Sequence, residues 1–260
     1  MITSSQNSKI RLVRALGRAK ERREANAFVV EGVRLVEEAV ISNWGLRFAL
    51  YDETLSERGN VQVERLKSSG VDVEMISTGL MESLSETETP QGLLAVLEFQ
   101  QLPIANPLDF VIVPDQIRDP GNLGTLLRSA AATGVQAVLI PPETTDAFAP
   151  KVVRSAMGAH FRLPVHSMIW EEIEQICRSA KLQMYIADMD GVSCWDMDLR
   201  HPLALIVGSE AQGASEEARK LASQQISIPM AGNVESLNAG VAGSVLMFEV
   251  VRQRSVLGNQ

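Results

Sequence analysis

Three short stretches of this sequence set polar, chemically capable side chains between an apolar run and a helical pattern. The first is Asp115-Gln-Ile-Arg-Asp-Pro-Gly-Asn122, which leads into Leu123–Thr133 and brings the carboxamide of Asn122 and the guanidinium of Arg128. The second, Gly208-Ser209-Glu210-Ala-Gln-Gly213-Ala-Ser215, follows Leu203–Val207 and holds one acid between two glycines. Glycine there lets backbone approach a ligand closely. The third runs from Ile226 through Pro229, Met230 and Gly232 to Ser236-Leu237-Asn238, then into Ala239–Arg252. Polar groups after strand ends lie where open α/β sheets bind ligands. Each stretch also has a plain structural account. Asn122 has the position and chemistry of a helix N-cap, and on a wheel of about 100° per residue Arg128 points away from the apolar side made by Leu123, Leu126, Leu127 and Ala130. Ser215 suits a cap for the helix through Glu217–Leu221, and Ser236 or Asn238 a cap for the last helix.

Several other chemistries are excluded by the same reading. No Gly-x-Gly-x-x-Gly follows the first strand of either half, and no Gly-x-Ser-x-Gly elbow occurs. Gly208 to Gly213 has P-loop spacing, but Ala214-Ser215 stands where Lys-Ser/Thr would grip phosphate and magnesium. His160, His166 and His201 have no metal spacing, and Cys177 and Cys194 suggest neither a disulfide framework nor a zinc site. No metal is expected.

The elements that must position these residues alternate strand and helix. Strands are predicted at Phe110–Val113, Ala137–Ile140, Met184–Ala187, Leu203–Val207 and Ile226–Ile228. Helices are predicted at Leu123–Thr133, Pro150–Met157, Ile169–Ala180, Ser215–Ser223 and Asn238–Arg252. Continuous apolar strands in a βαβ rhythm imply a mostly parallel sheet with helices on both faces. The last helix is apolar nearly all round, which calls for burial on every side, in the core or in a subunit interface. The first hundred residues read as a smaller α/β unit. Its predicted helices run over Ser8–Lys20, Val33–Val40 and Val61–Ser68, and its predicted strands are Phe28–Val30, Leu46–Tyr51, Val71–Ile76 and Leu93–Phe99. Gln101–Pro107 has two prolines and no charge and reads as a linker, so the expected domains are 1–100 and 108–260.

Chain length (260 residues) suffices for a real core without a disulfide or metal staple. No apolar run approaches the roughly 18 residues of a membrane span, and no secretory signal opens the chain, so a cytoplasmic protein without membrane attachment is expected. The net charge of −8 opposes a generic nucleic-acid binder, but the charge is unevenly spread. Residues 1–26 carry Lys9, Arg11, Arg14, Arg18, Lys20, Arg22 and Arg23 against only Glu21 and Glu24. A basic arm on an acidic body suits contact with phosphate at one surface, and a solvated helix face suits it equally.

Taken together the three stretches resemble the three signature motifs of the SpoU/TrmH family of RNA ribose methyltransferases, within the SPOUT class. The motifs are Asp119-Pro-Gly-Asn122-x-Gly-x-x-x-Arg128, Ile206-Val-Gly208-Ser-Glu210-x-x-Gly213 and Ile228-Pro-Met-x-Gly232-x-x-Glu-Ser236-Leu-Asn238. Residues 1–100, ending in Thr89-Pro-Gln-Gly92, look like the substrate-binding domain often found before such a catalytic domain. Asp146–Val165, with Lys151 and Arg154, resembles a further segment of these proteins.

The resemblance implies a C-terminal trefoil knot, an obligate homodimer, and S-adenosylmethionine as cofactor for 2′-O-methylation of structured RNA, ribosomal RNA first. It implies a cofactor site from Leu205, Val207, Gly208, Ile228, Pro229, Met230, Ser236, Leu237 and Asn238. It implies catalytic roles for Arg128, Asn122, Glu210, Ser236 and Asn238, with Asn122 and Glu210 positioning Arg128 and the ribose, and RNA contacts from the basic arm and Arg154. The alternatives are a catalytically silent knotted RNA-binding assembly factor, and a methyltransferase acting on transfer RNA or on a base nitrogen. Arginine keeps its proton well above neutral pH, so a clamp on phosphate or hydroxyl is an easier role for Arg128 than a base.

Overall fold

The computed structural model describes residues 1–210, 212–232 and 236–255. The chain divides into two compact units, Met1–Gln100 with Phe148–Phe161, and Gln101–Ala147 with Arg162–Gln260.

The first unit contains α1 (Ser8–Ala15), α2 (Ala19–Ala25), β1 (Ala27–Glu31), α3 (Val33–Ile41), β2 (Leu46–Tyr51), α4 (Glu57–Ser68), β3 (Asp72–Met75), α5 (Thr78–Leu84) and β4 (Leu93–Glu98). Its sheet has the order β1-β4-β2-β3, with β4 antiparallel to both β1 and β2. One face of that sheet, with Val29, Phe48, Leu50, Leu94 and Val96, packs on Ile10, Val13 and Leu16 from the first helix and on Leu80 and Met81 from α5. Side chains alternate along a strand, so the equally buried Phe28, Val30, Ala49 and Ala95 face the other way, towards α3 and α4.

Where a single helix was expected over Ser8–Lys20, the structure has two, parted around Gly17. The reason is Arg22, only 2% exposed, whose Nη1 donates to the carbonyls of Leu16 (2.8 Å) and Gly17 (2.9 Å). Those carbonyls end the first helix, and a guanidinium under the turn satisfies them. The segment Phe148–Phe161 groups with this unit, although a continuous second domain was expected. Aromatic packing draws it there: Phe148 meets Phe28 (5.0 Å between ring centres) and Phe99 (4.6 Å), and Phe161 meets Trp44 (5.3 Å). The segment carries α7 (Pro150–Ser155), which follows α6 (Pro120–Ala132) of the second unit in chain order.

The second unit is a six-stranded parallel sheet in the order β10-β8-β9-β5-β6-β7. Its strands are β5 (Phe110–Pro114), β6 (Ala137–Ile140), β7 (Val165–Ser167), β8 (Gln183–Ser193), β9 (Leu203–Val207) and β10 (Gln224–Ser227). Its helices besides α6 are α8 (Trp170–Ser179), α9 (Glu216–Leu221) and α10 (Ala239–Ser255). The central β9 and β5 run in register from Phe110 opposite Leu203 to Pro114 opposite Val207, and every residue of both is buried. Burial on both faces is what their unbroken apolar runs require.

Two local differences from expectation bear on the site. α6 starts at Pro120, with Asp119 as its N-cap accepting the amide of Asn122 (2.9 Å). Asn122 therefore lies inside the first turn, and its own side chain is released from capping. α10 is not buried all round. Its Gly240 and Gly243 lie against Thr125 and Leu126 of α6, while Val241 and Phe248 are 45% and 52% exposed.

Candidate active site

The site lies in the second unit, where the ends of β9 and β10 and the starts of α6 and α10 meet. α6 and α10 run side by side in the same direction, Thr125 beside Gly240 and Ser129 bonded to Ser244 (2.7 Å between hydroxyl oxygens). A Cβ on Gly243 would stand 2.3 Å from Leu126 Cδ2 and 3.1 Å from Val207 Cγ2, so any larger residue must displace these buried side chains. The approach brings the N-terminal turns of both helices together.

At those turns Glu210 acts as a hub. Its Oε1 accepts from Asn122 Nδ2 (3.1 Å), Asn238 Nδ2 (2.7 Å) and the backbone amide of Ala239 (2.9 Å). Asn238 Nδ2 also donates to Asn122 Oδ1 (2.8 Å), and Asn238 Oδ1 accepts the amide of Val241 (3.2 Å), capping α10. A carboxylate at a helix N-terminus is further favoured by the helix dipole. Three stretches far apart in sequence are thus tied through one oxygen.

The turn carrying Glu210 is tightly closed. Ser209 and Gly213 exchange two backbone hydrogen bonds of 2.9 Å each, and Gly213 has φ of +70°. Asp115, at the end of β5, anchors the turn from below: its Oδ2 accepts the amide of Ser215 (2.6 Å), and Ser215 in turn caps α9. Asp115 is fully buried, and burial pushes its carboxyl pKa up from the ordinary value.

Beside the hub opens a cavity of about 330 Å³. Val207, Ile226, Ile228, Met230 and Leu237 give it apolar walls, and Gly208, Ser209, Glu210 and Ser236 give it polar ones. Such a mixture, at the small end of the range for ligand pockets, suits a molecule with a flat apolar part and a polar tail. Of the residues expected to hold a cofactor, Val207, Gly208, Ile228, Met230, Ser236 and Leu237 line it. Leu205 instead is wholly buried inside β9, since its side chain belongs to the core, and Pro229 and Asn238 are not among the cavity's walls. Asp188, Met189, Arg219, Ala242 and Leu246 also line the cavity and were not expected. Asp188 pairs with Arg219 (3.2 Å). An acid directly after the apolar run Met184–Ala187 was the available sign for Asp188. Ala242 and Leu246 follow Asn238 at helical spacing.

Arg128 stands on the exposed side of α6 and bonds to no described residue, so the expected support from Asn122 and Glu210 is not made. Ser236 likewise reaches the cavity but not the hub.

The expected RNA-binding residues, all in the first unit, fare unevenly. Arg22 is consumed by the α1–α2 turn, as described. Lys9 is paired with both Asp72 and Glu74, and Arg154 lies 3.7 Å from Glu31 and 3.9 Å from Glu86. Arg14 donates to Ser83 (3.0 Å), and Arg18 and Lys20 are exposed beside Glu21 (3.1 Å) and Glu24 (3.6 Å). Arg11 and Arg23 are exposed and bond to no described residue.

Residues 109–248 match the family model for the SpoU rRNA Methylase family, and residues 7–95 that for the MRM3-like substrate binding domain. The chain belongs to the SpoU rRNA methylase family. Within that family it is 32% identical over 251 residues to the 23S rRNA (guanosine(2553)-2′-O)-methyltransferase RlmP of Bacillus subtilis, covering 96% of this chain and 98% of that one. It is 31% identical to the 23S rRNA (uridine(2479)-2′-O)-methyltransferase of Streptomyces viridochromogenes, covering 96% and 92%. Among solved structures, the AdoMet-bound rRNA methyltransferase from Sinorhizobium meliloti superposes with a TM-score of 0.85 at 28% identity, covering 96% of this chain and 97% of that one. All three SpoU signature stretches fall inside the matched segment. Among the described residues, no helix is long and apolar enough to cross a membrane, and no group of three or more His, Cys, Asp or Glu is placed to hold a metal.

Proposed function

We propose that this SpoU-family chain transfers the methyl group of S-adenosylmethionine to the 2′-oxygen of a ribose in ribosomal RNA. The observation that carries the reading is the Glu210 hub, which joins Asn122 and Asn238 beside a cavity of mixed polarity. The names of the relatives, 23S rRNA 2′-O-methyltransferases, support the substrate class.

The residues present fit the cofactor. Ile226, Ile228, Met230, Leu237 and Leu246 offer apolar contact for the adenine, and Asp188, Ser209 and Ser236 offer partners for ribose hydroxyls and the amino-acid tail. When bound, the cofactor supplies an electrophilic methyl on a sulfonium. The chain's task is then orientation, which alone supplies several kcal/mol of barrier reduction. Glu210, fixed through one oxygen by three N–H donors, ties the first turns of α6 and α10 together. Arg128, exposed and unpaired, is placed six residues beyond Asn122 on α6 and clamps the phosphate next to the target ribose. A guanidinium holding that phosphate also lowers the cost of negative charge developing on the 2′-oxygen.

Tritiated S-adenosylmethionine is expected to label ribosomal RNA as 2′-O-methylnucleoside, and Arg128→Ala to abolish the label while calorimetric cofactor binding survives. A methylated base in place of a methylated ribose, or wild-type transfer by Arg128→Ala, refutes the assignment.

This reading extends to a homodimer and a knot. The exposed Val241 and Phe248, with Val245 on the same side of α10, form an apolar stripe fitted to a second copy. Phe248→Asp is expected to shift sedimentation from dimer to monomer; an unchanged mass refutes the dimer. A trefoil knot with the stretch from Ile228 to Asn238 threaded through a loop, and a cytoplasmic location, belong to the same proposal. An unknotted backbone trace in a crystal structure removes the first, and membrane-fraction recovery the second.

A further inference from the structure

One charged residue of the cavity wall takes no part in the Glu210 hub: Arg219, on α9. Its partner is Asp188, which stands where β8 is interrupted. Ile186 of β8 lies opposite Gln225 of β10, yet the next residue of β10, Ile226, lies opposite Val192. Residues 187–191 of β8 therefore bulge away from β10, and the first three of them, Ala187, Asp188 and Met189, wall the cavity. Bulges beside functional sites re-aim side chains in this way.

The bulge is fastened at two points. At its far end Gly191 lies against β10, where a Cβ would stand 2.6 Å from both the Gln225 carbonyl carbon and the Ile226 nitrogen, and its carbonyl accepts from Ser227 Oγ (2.8 Å). At its near end Asp188 Oδ1 accepts the amide of Asp190 (3.2 Å), and Asp188 Oδ2 accepts Arg219 Nη1 (3.2 Å). The same guanidinium reaches the turn that carries Glu210. Its Nε donates to the Ala214 carbonyl (3.3 Å), and its Nη2 is 3.1 Å from where a Cβ on Gly213 would stand. One side chain thus ties two walls of the cavity together.

The Asp188 and Arg219 side chains are 19% and 42% exposed. A pair this open adds little to the stability of the whole unit. Its effect is local, because the Glu210 turn has other anchors and the near end of the bulge has this one side-chain tie among the described residues. Asp115 holds Ser215, Ser209 holds Gly213, and Asn122 and Asn238 hold Glu210 itself. Losing Arg219 frees the bulge and leaves the hub in place.

We propose that Arg219 is a positioning residue for the cofactor: acting through Asp188 and the Ala214 carbonyl, it holds the β8 bulge against the Glu210 turn, so that S-adenosylmethionine meets a preformed pocket. A wall that must be ordered on binding lowers affinity by the cost of ordering it. Arg219 serves binding and not the chemical step. The inference rests on the reading of this cavity as the cofactor's site.

The test pairs calorimetric titration of the full chain with S-adenosylmethionine and initial rates of tritiated methyl transfer to ribosomal RNA. Arg219→Gln is expected to raise Kd and KM for the cofactor by about three- to fivefold, the size of one partly exposed ion pair. The kcat at saturating cofactor, the KM for RNA and the melting temperature stay at wild-type values. Arg219→Lys, which keeps a charge for Asp188, recovers part of the loss. In an Asp188→Asn background the further effect of Arg219→Gln shrinks to about twofold or less, since the two residues act as a unit. Wild-type Kd and KM in Arg219→Gln overturn the inference. So does a loss undiminished in the Asp188→Asn background, which would make Arg219 a direct cofactor ligand, and so does a fall in kcat or melting temperature in place of the rise in KM. A wild-type chain that binds no S-adenosylmethionine removes the reading of the cavity and the inference with it, a result distinct from binding that ignores Arg219.

Discussion

Replacing Gly208 by alanine tests whether the Glu210 turn and the cavity wall are one rigid device. A Cβ at position 208 would lie 2.4 Å from both the amide nitrogen of Ala214 and the carbonyl carbon of Gly213, and 2.5 Å from the Gly213 oxygen. Comfortable contact is about 3.5–4.0 Å. The neighbours are backbone, so no side-chain rotation relieves the clash, and the turn must retreat by about 1 Å. If it holds, overpacking costs about 1–3 kcal/mol. If it yields, the three Glu210 bonds of 2.7–3.1 Å pass beyond hydrogen-bonding range. Each such bond is worth roughly 0.5–1.5 kcal/mol net, and Glu210 is exposed, so the low end applies and the loss is about 2 kcal/mol. Both routes converge on about 2 kcal/mol, or roughly 4–8 °C in melting temperature for a chain of this size. If the same energy is lost from the cofactor-competent arrangement, affinity for S-adenosylmethionine falls by more than about tenfold. Calorimetric titration and thermal melting measure the two effects. Affinity within twofold of wild type together with an unshifted melting temperature would refute the rigid-turn argument.

The remaining predictions concern buried charge. Arg22→Ala strips two carbonyls at the α1–α2 turn of their donor and is expected to cost about 2–4 kcal/mol, read as a lower melting temperature, with RNA affinity of the folded chain unchanged. A selective loss of RNA affinity at constant stability would return Arg22 to the RNA-binding surface. For Asp115, burial outweighs the Ser215 amide bond and raises the carboxyl pKa. A raised carboxyl pKa gives stability that is present below the unfolded value near about 3.9 and is lost as pH rises through the folded value. Asp115→Asn does not ionise, so its melting temperature should gain on the wild type as pH is raised from about 4 towards 7. A difference that stays constant across that range refutes the account.

Much of the second unit was legible because its strands are buried on both faces, so Phe110–Val113, Ala137–Ile140 and Leu203–Val207 read as unbroken apolar runs. The short edge strand β7, Val165-His166-Ser167, was not, because an edge strand of three partly exposed residues carries no such pattern. α5 was missed for a related reason: only Leu80 and Met81 of its seven residues are buried, too few to show a period. The start of α6 was read three residues late because Asn122 and Asp119 both suit a cap, and Pro120 at the first helical position decides between them. The grouping of Phe148–Phe161 with the first unit depends on aromatic contacts between residues 49 to 120 positions apart.

The sequence by itself determined the three stretches that carry the family. Asn122, Arg128, Glu210, Ser236 and Asn238 stand in order within three stretches, and that order carries the family. What only the tertiary structure decided is which of them touch. Glycine at 240 and 243 brings α10 onto α6, and that approach places Asn122 and Asn238 on one oxygen of Glu210 while Arg128 stays on the open side of α6. The basic arm shows the same division. Its charge was countable in the sequence, but whether a guanidinium faces water, a carboxylate or two carbonyls is settled by packing, which spends Arg22 on a turn, sets Arg18 beside Glu21 and leaves Arg11 exposed.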